Sequence, residues 1–126
     1  MLTRKELNPY GHTISPKFYD NFDWLLTRVN IIRYLYGKPL WVGKDGGIRS
    51  VDDQIRIYKA RNQVPAYNSD HLKCAAVDLV SQPANDLWEW LLKNVDVLVK
   101  LDVYVENFSY TKTYVHLQRS RPPSGN

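Results

Sequence analysis

His71 and Asp78 stand seven positions apart in the stretch Asn68-Ser69-Asp70-His71-Leu72-Lys73-Cys74-Ala75-Ala76-Val77-Asp78-Leu79, and that spacing constrains the fold more than any other feature. Side chains in an unbroken strand alternate between faces with a period of two, so residues seven apart point to opposite sides. The two can meet only if the chain bends between them. Polar Asn68-Ser69-Asp70 reads as a loop arriving at His71, and Ala75-Ala76-Val77-Asp78-Leu79-Val80 reads as a buried strand leaving it. Cys74, Ala75 and Ala76 between them are small enough to admit a close approach of backbone.

A third residue of the same chemistry lies near the C-terminus. In Tyr114-Val115-His116-Leu117-Gln118 polar and aliphatic residues alternate, which is a strand pattern that puts His116 on the face opposite Val115 and Leu117. Imidazole nitrogen and carboxylate oxygen bind zinc at roughly 2.0–2.2 Å, and catalytic zinc commonly takes three protein ligands and leaves a position for water. His71, Asp78 and His116 therefore form a candidate set for one zinc ion per chain, and the chemistry they point to is that of a mononuclear zinc hydrolase.

The remaining composition sets bounds. A chain of 126 residues is expected to form one domain (1–126), with an irregular N-terminal segment (1–15) and a C-terminal tail (119–126). The single cysteine excludes an intramolecular disulfide and suits synthesis in a reducing cytoplasm. No apolar run approaches the ~20 residues of a membrane span, and Arg4, Lys5 and Glu6 interrupt any signal-peptide core. An extracytoplasmic target would then be reached by lysis or by carriage on a particle, and no membrane insertion is expected. The net charge of +4 favours anionic partners in general. The basic residues are scattered, without the stripe that a nucleic-acid interface requires, so nucleic acid is not expected as a partner. A monomer is expected.

Along the chain, Phe18, Phe22, Leu25, Val29 and Ile32 recur at steps of four and three, which predicts an amphipathic helix from about Pro16 to Tyr36, ended by Gly37. Pro39-Leu40-Trp41-Val42 is a short strand candidate, and Lys44-Asp45-Gly46-Gly47 a turn. Ser50 followed by Asp53 has the form of a capping box and opens a second helix to about Arg61, with Val51, Ile55 and Tyr58 as its buried side. A third helix is expected from about Ala84 to Lys93, then a strand at Val103-Tyr104-Val105-Glu106 and a hairpin-like connection, Asn107 to Lys112, to the strand of His116. Val97, Leu98 and Leu101 are expected to continue the core, as are most of the four tryptophans. The prolines of Arg121-Pro122-Pro123-Ser124-Gly125-Asn126 bar further sheet pairing. The fold class is α+β, with helices packed on a small, mostly antiparallel sheet.

With these residues in view, the chain resembles the zinc D-Ala-D-Ala carboxypeptidase and peptidoglycan endopeptidase family, whose architecture is shared with the hedgehog signalling domain. The family's signature S-x-H-x-x-G-x-A-x-D is similar to Ser69-Asp70-His71-Leu72-Lys73-Cys74-Ala75-Ala76-Val77-Asp78, with Cys74 in place of glycine. Gly47-Ile48-Arg49-Ser50 looks like its S-G-Y-R-S segment and Tyr114-Val115-His116-Leu117 like its W-V-H strand, in the same order over roughly residues 16–120. The closing Glu106…Thr111…His116…Pro122-Pro123-Ser124-Gly125 is similar to small phage-encoded members.

The resemblance implies a zinc metallopeptidase acting on peptide bonds of bacterial peptidoglycan, as an endolysin or a virion-associated lytic enzyme. His71, Asp78 and His116 would bind zinc, Arg49 would lie beside the metal facing substrate, and Ser69 and Tyr114 would complete the substrate-binding set. The chain departs from the family at Thr113, where many members carry the catalytic carboxylate. Glu106 is the expected substitute as general base, ahead of Asp102. Cys74 is expected to be a buried small residue, and His12 to stand outside the metal set. A non-catalytic binding module on the same zinc-binding scaffold is the alternative.

Overall fold

The apolar steps read in the sequence become one buried face. The computed structural model describes residues 1–120, and in it Phe22, Leu25, Val29, Ile32 and Tyr36 are buried along helix α2 (Tyr19–Tyr36), which a single 3₁₀ turn (Pro16–Phe18) precedes. Gly37 ends the helix in the left-handed conformation, at φ 75°, its N–H bonded to the Arg33 carbonyl. The same buried cluster contains Val77 and Leu79 of strand β2 (Ala76–Val80) and Val115 and Leu117 of β4 (Val115–Gln118). The class is α+β, as expected.

The sheet is wholly antiparallel, in the order β1 (Trp41–Val42), β2, β4, β3 (Tyr104–Val105). Its central pairing sets Val77 opposite Leu117 and Leu79 opposite Val115, while Asp78 faces His116. Opposed residues share a face, so the aliphatics supply the core and Asp78 and His116 lie together on the other side. Full burial of each Val or Leu is worth roughly 1.5–3 kcal/mol. A one-residue slip would forfeit that and drive His116 into the core. Register and site are thus fixed by the same four aliphatic side chains.

Three further helices follow: α3 (Val51–Ala60), α4 (Asp86–Lys93) and α5 (Val95–Leu101). α5 was read from sequence only as core residues. Leu98 is buried and Val97 and Leu101 pack against the cluster, but Val95 and Val99 are exposed. Of the tryptophans, Trp24, Trp88 and Trp90 pack partly buried on the core, whereas Trp41 is exposed. The connection after β3 contains a 3₁₀ turn at Phe108–Tyr110. No helix among the described residues is long and apolar enough to cross a membrane. The proline-rich part of the tail, 121–126, lies outside the described residues.

Two expectations need correction. Residues 1–15 are not wholly irregular: Thr3 and Glu6 form a capping box that opens the one-turn helix α1 (Arg4–Leu7), and Leu7 is fully buried. In α3 the Ser50–Asp53 capping box forms as read, but the buried residues are Gln54 and Ile57, while Val51 and Ile55 are exposed. The helix is rotated toward Arg49, because Gln54 accepts from the Arg49 guanidinium and donates to the Ala66 carbonyl. A buried amide with both ends bonded outcompetes two aliphatics at the surface.

The glycine turn between β1 and α3 is wedged between α1 and β2. The Asp78 N–H donates to the Gly46 carbonyl at 2.7 Å and the Ile48 N–H to the Leu7 carbonyl at 2.9 Å. A Cβ on Gly47 would lie 2.2 Å from the Leu7 carbonyl oxygen, and one on Gly46 2.8 Å from the Asp78 Cβ. Gly47→Ala should therefore destabilise the fold by about 1–3 kcal/mol, the range for overpacking a filled interior. An unchanged urea midpoint would contradict this packing.

Candidate metal centre

The bend demanded by the His71–Asp78 spacing is a single 3₁₀ turn, Asp70–Lys73. Ser69 opens it, its hydroxyl accepting from the His71 N–H at 3.2 Å, and Cys74 closes it in the left-handed conformation at φ 59°. That conformation accounts for glycine at this position in the signature that the segment resembles. The chain then enters β2 with Asp78 on the face away from the core.

His71, Asp78 and His116 meet there, with one ligand atom from each lying within 4.8 Å of the others. Asp78 Oδ1 stands 2.7 Å from His116 Nδ1 and 3.3 Å from His71 Nε2. The two imidazole rings lie 5.1 Å apart at 61°. His71 Nδ1 lies 2.9 Å from the Gly47 carbonyl, an acceptor only, so Nδ1 carries the hydrogen and Nε2 turns toward the cluster. The arrangement fits a divalent cation: two imidazole nitrogens and one carboxylate oxygen converge from a turn and two strands.

Arg49 is buried and stands beside the cluster. Its Nε donates to the Asp45 carbonyl at 2.8 Å, Nη1 to Gln54 Oε1 at 3.0 Å, and Nη2 to Asp78 Oδ2 at 3.4 Å. It holds the outer carboxylate oxygen and leaves one N–H on each terminal nitrogen. Burial works against charge on Asp78, but the charges and hydrogen bonds of His71 and His116 outweigh it and hold the carboxyl well below its usual range. Burial likewise works against a charged His116, yet its bond to Asp78 and the Asp78 charge raise its pKa.

The cluster opens onto a cleft of about 560 Å³, whose walls include Arg49, Ser69, Glu106, Thr111 and Tyr114. Glu106 continues the β3 pairing by one residue, its N–H donating to the His116 carbonyl at 3.0 Å, so Asp78, His116 and Glu106 form a row across three strands. Burial, and then the charge of Asp78, raise the Tyr114 pKa. Thr113 is exposed and away from the cleft, and Asp102 ends α5 at φ 56°, also outside it. His12 pairs with Asp53 at 2.5 Å and takes no part in the cluster. Cys74 belongs to the core, and burial pushes its thiol up to about 11.

Sequence reasoning missed two residues of this neighbourhood. Gln118 Oε1 lies 2.6 Å from His116 Nε2, a contact legible from strand alternation because the two share a face. Thr111 is buried on the cleft wall, and its hydroxyl has no hydrogen-bond partner among the described residues. Thr111 stands in the closing pattern Glu106…Thr111…His116, but nothing in the sequence marks it as buried on a cleft wall.

The chain should bind about one divalent ion, and Asp78→Ala should abolish binding in a calorimetric titration. Because the His116 pKa is raised, protons compete with the metal, and affinity should weaken by about tenfold per pH unit below that pKa. Affinity independent of pH between 5 and 8 would contradict His116 as a ligand. Native Cys74 should resist alkylation at pH 8 and react fully once the chain is unfolded, as a buried thiol does. No family model matches the chain, and no curated protein matches it.

Proposed function

We propose that this chain is a zinc metallopeptidase that hydrolyses peptide bonds of bacterial peptidoglycan. The observation that carries the reading is the convergence of His71, Asp78 and His116, with both histidines and the carboxylate residue Glu106 lining one cleft. Two imidazoles and one carboxylate are a borderline-soft donor set that suits zinc better than magnesium or calcium. Three protein ligands facing a cleft leave room for solvent, as a catalytic site requires. The likeness to the zinc carboxypeptidase and endopeptidase signatures supports the substrate class, and a net charge of +4 suits an anionic wall. The enzyme would reach the wall at lysis or on a virion.

His71, Asp78 and His116 would hold the zinc ion, which would supply Lewis acidity toward water and the scissile carbonyl. The chain's own residues do the rest. Glu106 takes the proton of the attacking water and returns it to the leaving amine. Arg49 keeps Asp78 in place through Oδ2, and its free N–H groups face charge developing on the substrate oxygen. Ser69 fixes the turn that presents His71, while Tyr114 lines the cleft and offers a polar contact to the peptide.

One observation favours a second reading, a binding module on the same scaffold. The position that carries a carboxylate in many resembled proteins is the exposed Thr113, and the Glu106 side chain has no hydrogen bond to the cluster. Digestion of purified peptidoglycan, with new termini identified by mass spectrometry, separates the two. Hydrolysis should stop on chelation and in His116→Ala, and Glu106→Gln should slow it by roughly 10²–10⁴-fold while leaving metal content unchanged. Wall hydrolysis retained in His116→Ala would overturn the peptidase reading.

A further inference from the structure

Behind His116, on the side away from Asp78, runs a chain of hydrogen bonds that the ligand set alone does not require. His116 Nε2 lies 2.6 Å from Gln118 Oε1, and Gln118 Nε2 donates to the Ser120 carbonyl at 2.7 Å. Ser120 in turn donates to Asp70 Oδ2 twice, from its hydroxyl at 2.5 Å and from its N–H at 3.1 Å. Asp70 is the residue before His71, and its own carbonyl accepts the Ala75 N–H at 2.9 Å. The chain starts on one imidazole and ends at the turn that carries the other.

The direction of each bond is settled by chemistry. The Ser120 carbonyl can only accept, so the Gln118 amide must present its NH₂ group there and its oxygen to His116. An amide oxygen also only accepts, so His116 Nε2 must carry a hydrogen. Both ring nitrogens thus face an acceptor, and Nδ1 is the one placed to coordinate, because it lies 2.7 Å from Asp78 Oδ1 on the side of the other candidate ligands. Gln118 and Asp70 are both buried, at 9 % and 7 % exposure, while Ser120, which joins them, is exposed at the cleft.

We propose that Gln118 is a positioning residue that selects His116 Nδ1 as the metal-binding nitrogen, and that the Ser120–Asp70 pair fixes Gln118 and ties the two histidine ligands into one frame. This rests on the assignment of His71, Asp78 and His116 as the metal set, and not on peptidase activity. Partners of this kind orient a ligating imidazole, and their loss typically weakens metal binding about 10–100-fold.

The test is made on the full chain titrated with zinc chloride, with imidazole nitrogens followed by ¹⁵N NMR. In the zinc-loaded wild type, His116 should carry a slowly exchanging hydrogen on Nε2 and bind zinc through Nδ1. Gln118→Leu should speed that exchange and weaken zinc binding by roughly 10–100-fold. Gln118→Glu, whose carboxylate still accepts from Nε2–H but cannot donate to the Ser120 carbonyl, should restore the slow exchange and only part of the affinity. Far-ultraviolet circular dichroism of each metal-free variant checks that the fold is retained, and Ser120→Pro, which removes the N–H to Asp70, should give an intermediate loss. Coordination through Nε2 in the wild type, or wild-type affinity in a folded Gln118→Leu, would overturn the proposal. Peptidoglycan hydrolysis does not enter either readout, so a failed peptidase reading leaves this result separately visible.

Discussion

A buried carboxylate shared between two imidazoles governs this molecule. Asp78 lies on a central strand with little solvent contact, and an unpaired ion so placed would cost several kcal/mol. It is compensated from three directions: His71 from the turn, His116 from the partner strand and Arg49 from the start of α3. Each of those contacts depends on a separate piece of the fold. The antiparallel register brings His116 opposite Asp78, the left-handed Cys74 ends the turn that returns His71, and the glycine turn lets the Asp45 and Gly47 carbonyls reach Arg49 and His71. The candidate metal centre and the fold therefore depend on the same contacts, since what aligns the strands also aligns the three side chains.

The sheet separates two demands that would conflict on a single surface. Val77, Leu79, Val115 and Leu117 belong to the same buried cluster as α2, while Asp78, His116 and Gln118 lie on the opposite face, where His116 and Gln118 line the cleft. Strand alternation gives each residue one role. It also places Glu106 in the row of the ligands, because β3 joins the sheet on the far edge of β4. Glu106 thereby lines the cleft onto which the cluster opens.

Much of this was legible in the sequence, for identifiable reasons. Period-two alternation around His116, the break between His71 and Asp78, and the four-and-three stripe of α2 are local patterns, and local patterns survive into the structure. The misreadings arose where a long-range polar contact decided the outcome. Val51 and Ile55 looked like the buried side of α3, but Gln54 is drawn inward by Arg49 and Ala66, residues whose proximity no periodicity reveals. The one-turn helix α1 was missed because a Thr3–Glu6 capping box on a four-residue helix is a weak signal without the glycine turn that bonds to Leu7. Thr111 stands in the closing pattern read from the sequence, but its burial without a hydroxyl partner among the described residues was not legible there, since its placement depends on the connection between β3 and β4.

Whether these three side chains act together on one ion is tested most directly by X-ray absorption at the zinc edge of the zinc-loaded protein. Two imidazole nitrogens and one carboxylate oxygen at about 2.0–2.2 Å, with one further light atom from solvent, is the expected shell. A sulfur scatterer near 2.3 Å would mean that Cys74 has left the core to seal the site, and fewer than two imidazoles would mean that the strand and the turn do not share a metal.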